Sequence, residues 1–182
     1  MDKDVIEMDK VVEKLIEIPQ EQVEEISKAV AIAKETEADA RDFYKKVSQK
    51  ATDPEMKKAM ELLSKEESAH YKALSIVEYK LKEQGKFAVI DEVLISFEKP
   101  KIYPGKDVEI KEFQNKSDLA ALLWAMRAER KAELFYSKQA EKASVEDIKR
   151  FFEELAKFEK GHFDYLDGIV STITDTGDFI LG

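Results

Sequence analysis

Twice in this chain a glutamate stands three residues ahead of a histidine, as Glu67-x-x-His70 and Glu159-x-x-His162, and there are no other histidines. On a helix that spacing puts carboxylate and imidazole one turn apart on the same face. Each pair interrupts an apolar seam. Met56, Met60 and Leu63 lead into the first, and Leu74 and Val77 continue it; Ile148, Phe152 and Leu155 lead into the second, and Leu166 and Ile169 continue it. Glu37 and Glu129 break two further seams, flanked by Ala33 and Ala40 in one case and Ala125 and Ala132 in the other. Four carboxylates in one apolar core would cost several kcal/mol apiece if left unpaired, even after relaxation. Two divalent cations would neutralise four carboxylates joined by two neutral imidazoles. The chain has no cysteine, which excludes thiolate zinc sites, iron–sulfur clusters and disulfides. An oxygen and nitrogen donor set suits iron or manganese. The expected metal ligands, and the expected catalytic residues, are Glu37, Glu67, His70, Glu129, Glu159 and His162. Six protein ligands for two metals leave positions open for an oxygen-bearing substrate.

About one residue in five is acidic, so a lone Glu-x-x-His says little, and an empty bundle is the alternative reading. A repeat argues against it. Displacing the sequence by 92 positions without a gap lays Glu37-x-x-Ala40-x-x-Phe43-Tyr44 on Glu129-x-x-Ala132-x-x-Phe135-Tyr136. The same shift lays Leu63-x-Lys65-x-Glu67-x-x-His70 on Leu155-x-Lys157-x-Glu159-x-x-His162. A duplicated helical hairpin is the simplest origin.

Four helices must position these residues. The first is expected to start just after Pro19, with Val23, Ile26, Val30, Ala33, Ala40 and Val47 on one face. Thr52-Asp53-Pro54 ends it, and Asp53 caps the second helix, which stops near Gly85. Residues 86–116 contain Pro100, Pro104 and Gly105 and read as a long crossover with a short strand or helix of its own. Ser117 is expected to cap the third helix, and Ser144-Val145-Glu146-Asp147 resembles a capping box for the fourth. The division is then an N-terminal extension over 1–18, expected to be helical, a bundle over 19–176, and a tail over 177–182. Within the bundle, hairpins 20–85 and 117–174 flank the crossover.

Tyr44 and Tyr136 lie two turns beyond Glu37 and Glu129 on the same face. They are either partners of ligand carboxylates or simply buried tyrosines. Glu133 is expected on the surface rather than as a further ligand, and Glu35 faces solvent. Glu66 is set aside because the repeat matches it with Phe158. Trp124 is assigned to core packing rather than electron transfer.

Charged residues make up 38% of the chain and apolar ones 43%, with six glycines and four prolines, a balance that favours long solvated helices. The formal charge of −9, without a cluster of Lys or Arg, argues against nucleic-acid and membrane-surface partners. No apolar run approaches the roughly 20 residues needed to cross a bilayer. Met1 to Lys10 lacks the apolar core of a signal peptide, and a cytoplasmic protein is expected.

The two Glu-x-x-Ala-x-x-Phe-Tyr elements and the two Glu-x-x-His elements resemble the rubrerythrin branch of the ferritin-like superfamily over about residues 20 to 172. One Glu from each of two helices, with Glu-x-x-His from each of two others, is the donor inventory of such bundles. The resemblance implies an all-α fold, a ferritin-like antiparallel four-helix bundle with a long crossover between helices two and three. About 30 crossover residues at roughly 3.3 Å each reach well beyond one helix length. It also implies that Glu67 and Glu159 bridge two iron ions, that Glu37 and Glu129 are terminal ligands, and that each metal takes one histidine. The activity implied is reduction of hydrogen peroxide or dioxygen in oxidative-stress defence; the alternatives are a ferroxidase or storage subunit and a structural metal bundle. Family habit suggests a homodimer. Two departures stand out. The family usually appends a cysteine-ligated rubredoxin domain, so an external electron donor such as a rubredoxin is expected here. A further family glutamate is replaced by Ala132.

Overall fold

The computed structural model describes residues 11–90 and 116–175, the latter without the side chains of 116–118 and 173–175. In chain order it contains strand β1 (Val12–Glu17), a single 3-10 turn (Gln20–Gln22), helices α1 (Val23–Lys50) and α2 (Pro54–Gln84), strand β2 (Lys86–Ile90), and helices α3 (Lys116–Lys142) and α4 (Glu146–Asp175). The fold is an all-α four-helix bundle with a two-stranded ribbon. Among the described residues, no helix is long and apolar enough to cross a membrane.

Local chemistry sets the helix ends. The Asp53 carboxylate accepts from the N–H groups of Glu55 (2.9 Å) and Met56 (2.8 Å), satisfying two of the donors that a helix start leaves unpaired. Pro54 occupies the first turn, where its missing N–H costs nothing. Gly85 ends α2 with φ 64°, a left-handed conformation that favours glycine, and its N–H returns to the Leu81 carbonyl at 3.0 Å. The α4 start differs from expectation by one residue. Its first bonds close on the Val145 carbonyl, while the Ser144 hydroxyl accepts from the Gln22 side chain at 2.7 Å. Asp147 pairs with Lys14 at 3.0 Å, so an inter-element contact displaces the capping box. Ser117, expected as the cap of α3, falls inside that helix as described.

The extension ahead of Pro19 is a strand, not the expected helix, over Val12–Glu17. Val12, Leu15 and Ile16 are spaced as a helix would have them, but β2 presents an edge with backbone groups to satisfy. β1 pairs with it antiparallel, from Val12 opposite Ile90 to Glu17 opposite Lys86, with an irregularity between Val12 and Lys14. β2 occupies the first residues of the expected crossover; the rest, 91–115, and the expected tail, 177–182, lie outside the described residues.

α1 packs chiefly on α2, and α3 on α4. Between hairpins, Glu37 of α1 faces Tyr136 of α3 and Tyr44 faces Glu129, so α1 and α3 run antiparallel. On the other side His70 of α2 lies against Phe158 of α4, and Glu66 against His162, so α2 and α4 are antiparallel too. It follows that α2 and α3 point the same way, and a chain joining them must travel the length of the bundle.

The core is in two parts. One holds Ile26, Val30, Leu74, Val77, Leu81, Tyr136, Phe152 and Leu155, closed at its end by Ile18 and by Phe87, Ala88 and Ile90 of β2. The other holds Tyr44, Met56, Met60, Leu63, Leu122, Leu166 and Ile169. Burying each large aliphatic or aromatic side chain contributes roughly 1.5–3 kcal/mol. Between the two clusters lies a slab of acid and imidazole.

Candidate metal centre

Every helix contributes to that slab. α1 supplies Glu37, α2 supplies Glu67 and His70, α3 supplies Glu129, and α4 supplies Glu159 and His162. None of the six is more than 4% exposed. The structure thus brings together all six residues singled out as ligands. Their donor atoms form two groups, Glu37–Glu67–His70–Glu159 and Glu67–Glu129–Glu159–His162, with the atoms of each group all within 4.8 Å of one another. Glu67 and Glu159 belong to both.

The histidines present Nδ1 to the carboxylates. His70 Nδ1 lies 3.2 Å from both Glu37 Oε2 and Glu67 Oε2 and 3.8 Å from Glu159 Oε1. His162 Nδ1 lies 3.0 Å from Glu67 Oε1, 3.6 Å from Glu129 Oε2 and 3.7 Å from Glu159 Oε2. The rings stack 5.7 Å apart. Tyr44 donates its hydroxyl to Glu129 and Tyr136 donates to Glu37, so both tyrosines are partners of the expected terminal carboxylates.

The charges are out of balance without cations. Burial, followed by repulsion from Glu67, pushes the Glu37 carboxyl up to about 8. Glu159 is raised well above the usual range by burial and by Glu37, Glu67 and Glu129. Burial also opposes ionisation of Glu67, yet the charge and hydrogen bonds of His162, with those of His70, hold it well below the usual range. Burial would lower His70, but its bonds to Glu37 and Glu67 raise it to about 9. His162 is raised for the same kind of reason, with Glu67 the main contributor. In the cation-free chain, protons take the place of positive charge. Even so, Glu159 Oε1 is buried without a hydrogen-bond partner, and Glu67 Oε1 and His162 Nδ1, 3.0 Å apart, have none of good geometry beyond each other. Poorly satisfied polar atoms in a buried interior are costly, and all three belong to residues of the two donor groups. The donor set fits a pair of hard or borderline divalent metals.

A family model described as rubrerythrin matches residues 2–77 and 89–173. The chain belongs to the rubrerythrin family. No match was found among curated proteins or solved structures. In rubrerythrin terms the residue positions are informative where they depart from expectation. Ala132, at the place of the further family glutamate, lines a cleft of about 580 Å³ between α1 and α3. Thr36, Ala40 and Ala128 line it too, and Glu37, Glu129 and Glu159 are reached at its floor. Small side chains on both helices therefore open the centre from this side.

Trp124, expected in the core, is 54% exposed at the rim of the cleft. Its ring rests on Phe43 at 4.5 Å, and Phe43 meets Tyr44 edge-on at 5.5 Å. The cleft that keeps α1 and α3 apart leaves the indole nothing larger to pack against. Glu133 is ion-paired with Arg130 outside the donor groups, and Glu35 is exposed. Glu66 was missed: its Oε2 lies 2.8 Å from His162 Nε2. The signal was its adjacency to a ligand, and comparison of the two halves hid it because Phe158 stands at the matching place.

Proposed function

We propose that this rubrerythrin-family chain is a non-haem di-iron oxidoreductase that reduces hydrogen peroxide or dioxygen in defence against oxidants. The observation that carries the reading is a donor cluster shared between two groups and open to solvent through a cleft floored by Glu37, Glu129 and Glu159. A purely structural metal would gain nothing from that opening. Glu37 and His70 would hold one metal, Glu129 and His162 the other, with Glu67 and Glu159 between them. When bound, a pair of irons supplies the two electrons that cleaving an O–O bond requires.

The protein's own residues do the rest. The cleft between α1 and α3 is roomy enough to admit a small oxidant to the carboxylates. The apolar clusters on either side of the slab exclude bulk water, which strengthens each electrostatic contact within it. Tyr44 and Tyr136 fix the orientation of Glu129 and Glu37 and each holds a proton at its phenolic oxygen beside the site. Converting one peroxide to two waters takes two electrons and two protons. The electrons are restored by a donor, for which a rubredoxin has suitable chemistry.

The test is to load the protein with ferrous iron under argon and mix it with peroxide or with air-saturated buffer, following the optical spectrum. Reoxidation much faster with peroxide supports the proposal, and indifference to peroxide would sink it. Turnover of many irons per chain within a large hollow assembly would instead make the protein a ferroxidase or storage subunit.

A further inference from the structure

The two halves of the centre correspond residue by residue. Glu37 matches Glu129, Glu67 matches Glu159, His70 matches His162, and the tyrosine bonds are reciprocal, Tyr44 to Glu129 and Tyr136 to Glu37. The correspondence fails at one position against the histidines. Glu66, immediately before Glu67, reaches across to α4 and accepts a hydrogen bond from His162 Nε2 at 2.8 Å. The matching residue, Phe158, reaches across to α2 and lies over the His70 ring, centroids 5.0 Å apart. One imidazole is backed by a carboxylate and the other by a hydrocarbon face.

That difference acts on the inward-facing atom of His162. A carboxylate on Nε2 keeps the hydrogen there, so the proton that a metal would displace from this imidazole is the one at Nδ1. Nδ1 is buried and faces Glu67 Oε1 at 3.0 Å, with Glu129 and Glu159 beyond it at 3.6 and 3.7 Å. A ligating histidine whose other nitrogen donates to a carboxylate is fixed in tautomer and orientation and is more electron-rich, and losing such a partner typically costs 10–100-fold in metal affinity. Phe158 offers no acceptor to His70. We propose that Glu66 is a positioning residue that makes the Glu129–His162 position the tighter of two inequivalent metal positions, so that it fills first. The inference rests on the reading of the cluster as a two-metal centre.

The experiment is a titration of metal-free protein with Mn(II), a redox-quiet probe, followed by electron paramagnetic resonance and calorimetry. The wild type is expected to show an isolated Mn(II) signal up to one equivalent and a spin-coupled pair only on the second. Glu66→Gln should weaken the first step 10–100-fold and leave the second nearly unchanged, merging the two. Phe158→Glu, which offers His70 the missing carboxylate, should strengthen the second step. Circular dichroism and thermal midpoints of the metal-free variants separate loss of ligand positioning from loss of fold, and Phe158→Glu serves where Glu66→Gln is poorly folded. A coupled pair at sub-stoichiometric metal, or a Glu66→Gln titration matching the wild type, overturns this inference while leaving the two-metal centre in place. A wild type that binds no metal overturns both.

Discussion

Tyr44 on α1 donates its hydroxyl to Glu129 on α3, and Tyr136 on α3 donates to Glu37 on α1, so each terminal carboxylate is held by the opposite helix. Both tyrosines are fully buried, and burial raises each phenol well above its ordinary range, which keeps them as donors at any physiological pH. Tyr44→Phe and Tyr136→Phe should each weaken metal binding 10–100-fold. Stability of the metal-free protein should fall by about 1–3 kcal/mol where the carboxylate is left without its donor. Metal titration and urea unfolding of the two single variants and the double variant check this. The double variant should lose more affinity than either single one.

Glu159 sits beside three other buried carboxylates and is driven towards its neutral form by burial and their repulsion. Substituting Glu159→Gln keeps the shape and removes the capacity to ionise. The metal-free variant should be as stable as the wild type or more so, by up to about 1–3 kcal/mol, because buried ionic groups are often retained at a cost to stability. It should nonetheless fail to bind a metal pair, since one of the two shared ligands is gone. Denaturant unfolding with a chelator, set beside metal stoichiometry, separates the two effects. A variant that kept two metals with unchanged spectra would show that Glu159 is not a shared ligand.

The repeat made the centre readable because the duplicated hairpins carry the same donors at the same offsets. Glu37, Glu129 and both Glu-x-x-His pairs interrupt seams that are otherwise apolar, and a polar residue on a buried stripe has few explanations. The same device concealed Glu66, since matching halves exposes what they share and discards what one of them has alone. β1 was hidden for a different reason. Its partner lies some seventy positions further on, and Val12, Leu15 and Ile16 suit a helix until β2 is there to pair with. Trp124 was misjudged because seam periodicity tells which face turns inward but not how closely two helices approach. The alanines that open the α1–α3 cleft leave the indole at the rim.

The ribbon's contribution can be separated from the centre. Phe87 of β2 is fully buried and meets Phe151 of α4 edge-on at 5.3 Å, in the apolar cluster at the closed end of the bundle. Phe87→Ala should cost about 3–5 kcal/mol through lost burial and the cavity left behind. The apolar cluster around that ring includes none of the six expected ligands, so metal stoichiometry should be the same as in the wild type below the lowered melting transition. Calorimetric unfolding and metal analysis of the same sample test both halves of the expectation.

Acidity should move stability and metal binding in opposite directions. His70 is raised from 6.5 to about 9 and Glu37 from 4.5 to about 8, so in the metal-free fold both hold protons more tightly than in the unfolded chain. The stability contributed by His70 is complete below about pH 6.5 and is lost as pH rises through 9; that from Glu37 is complete below about 4.5 and is lost through 8. Glu67, held well below its usual value, contributes the other way and loses its share as pH falls below 4.5. Metal-free protein should therefore lose stability between pH 7 and 9.5. Metal binding must expel protons from Glu37, His70, Glu159 and His162, and so it should tighten over the same interval. Loading at pH 7 in weak buffer should acidify the solution. Urea midpoints at pH 6.5, 8 and 9.5, with chelator and with saturating Mn(II), should diverge as pH rises. Midpoints that run parallel would mean that these four groups do not exchange protons for metal.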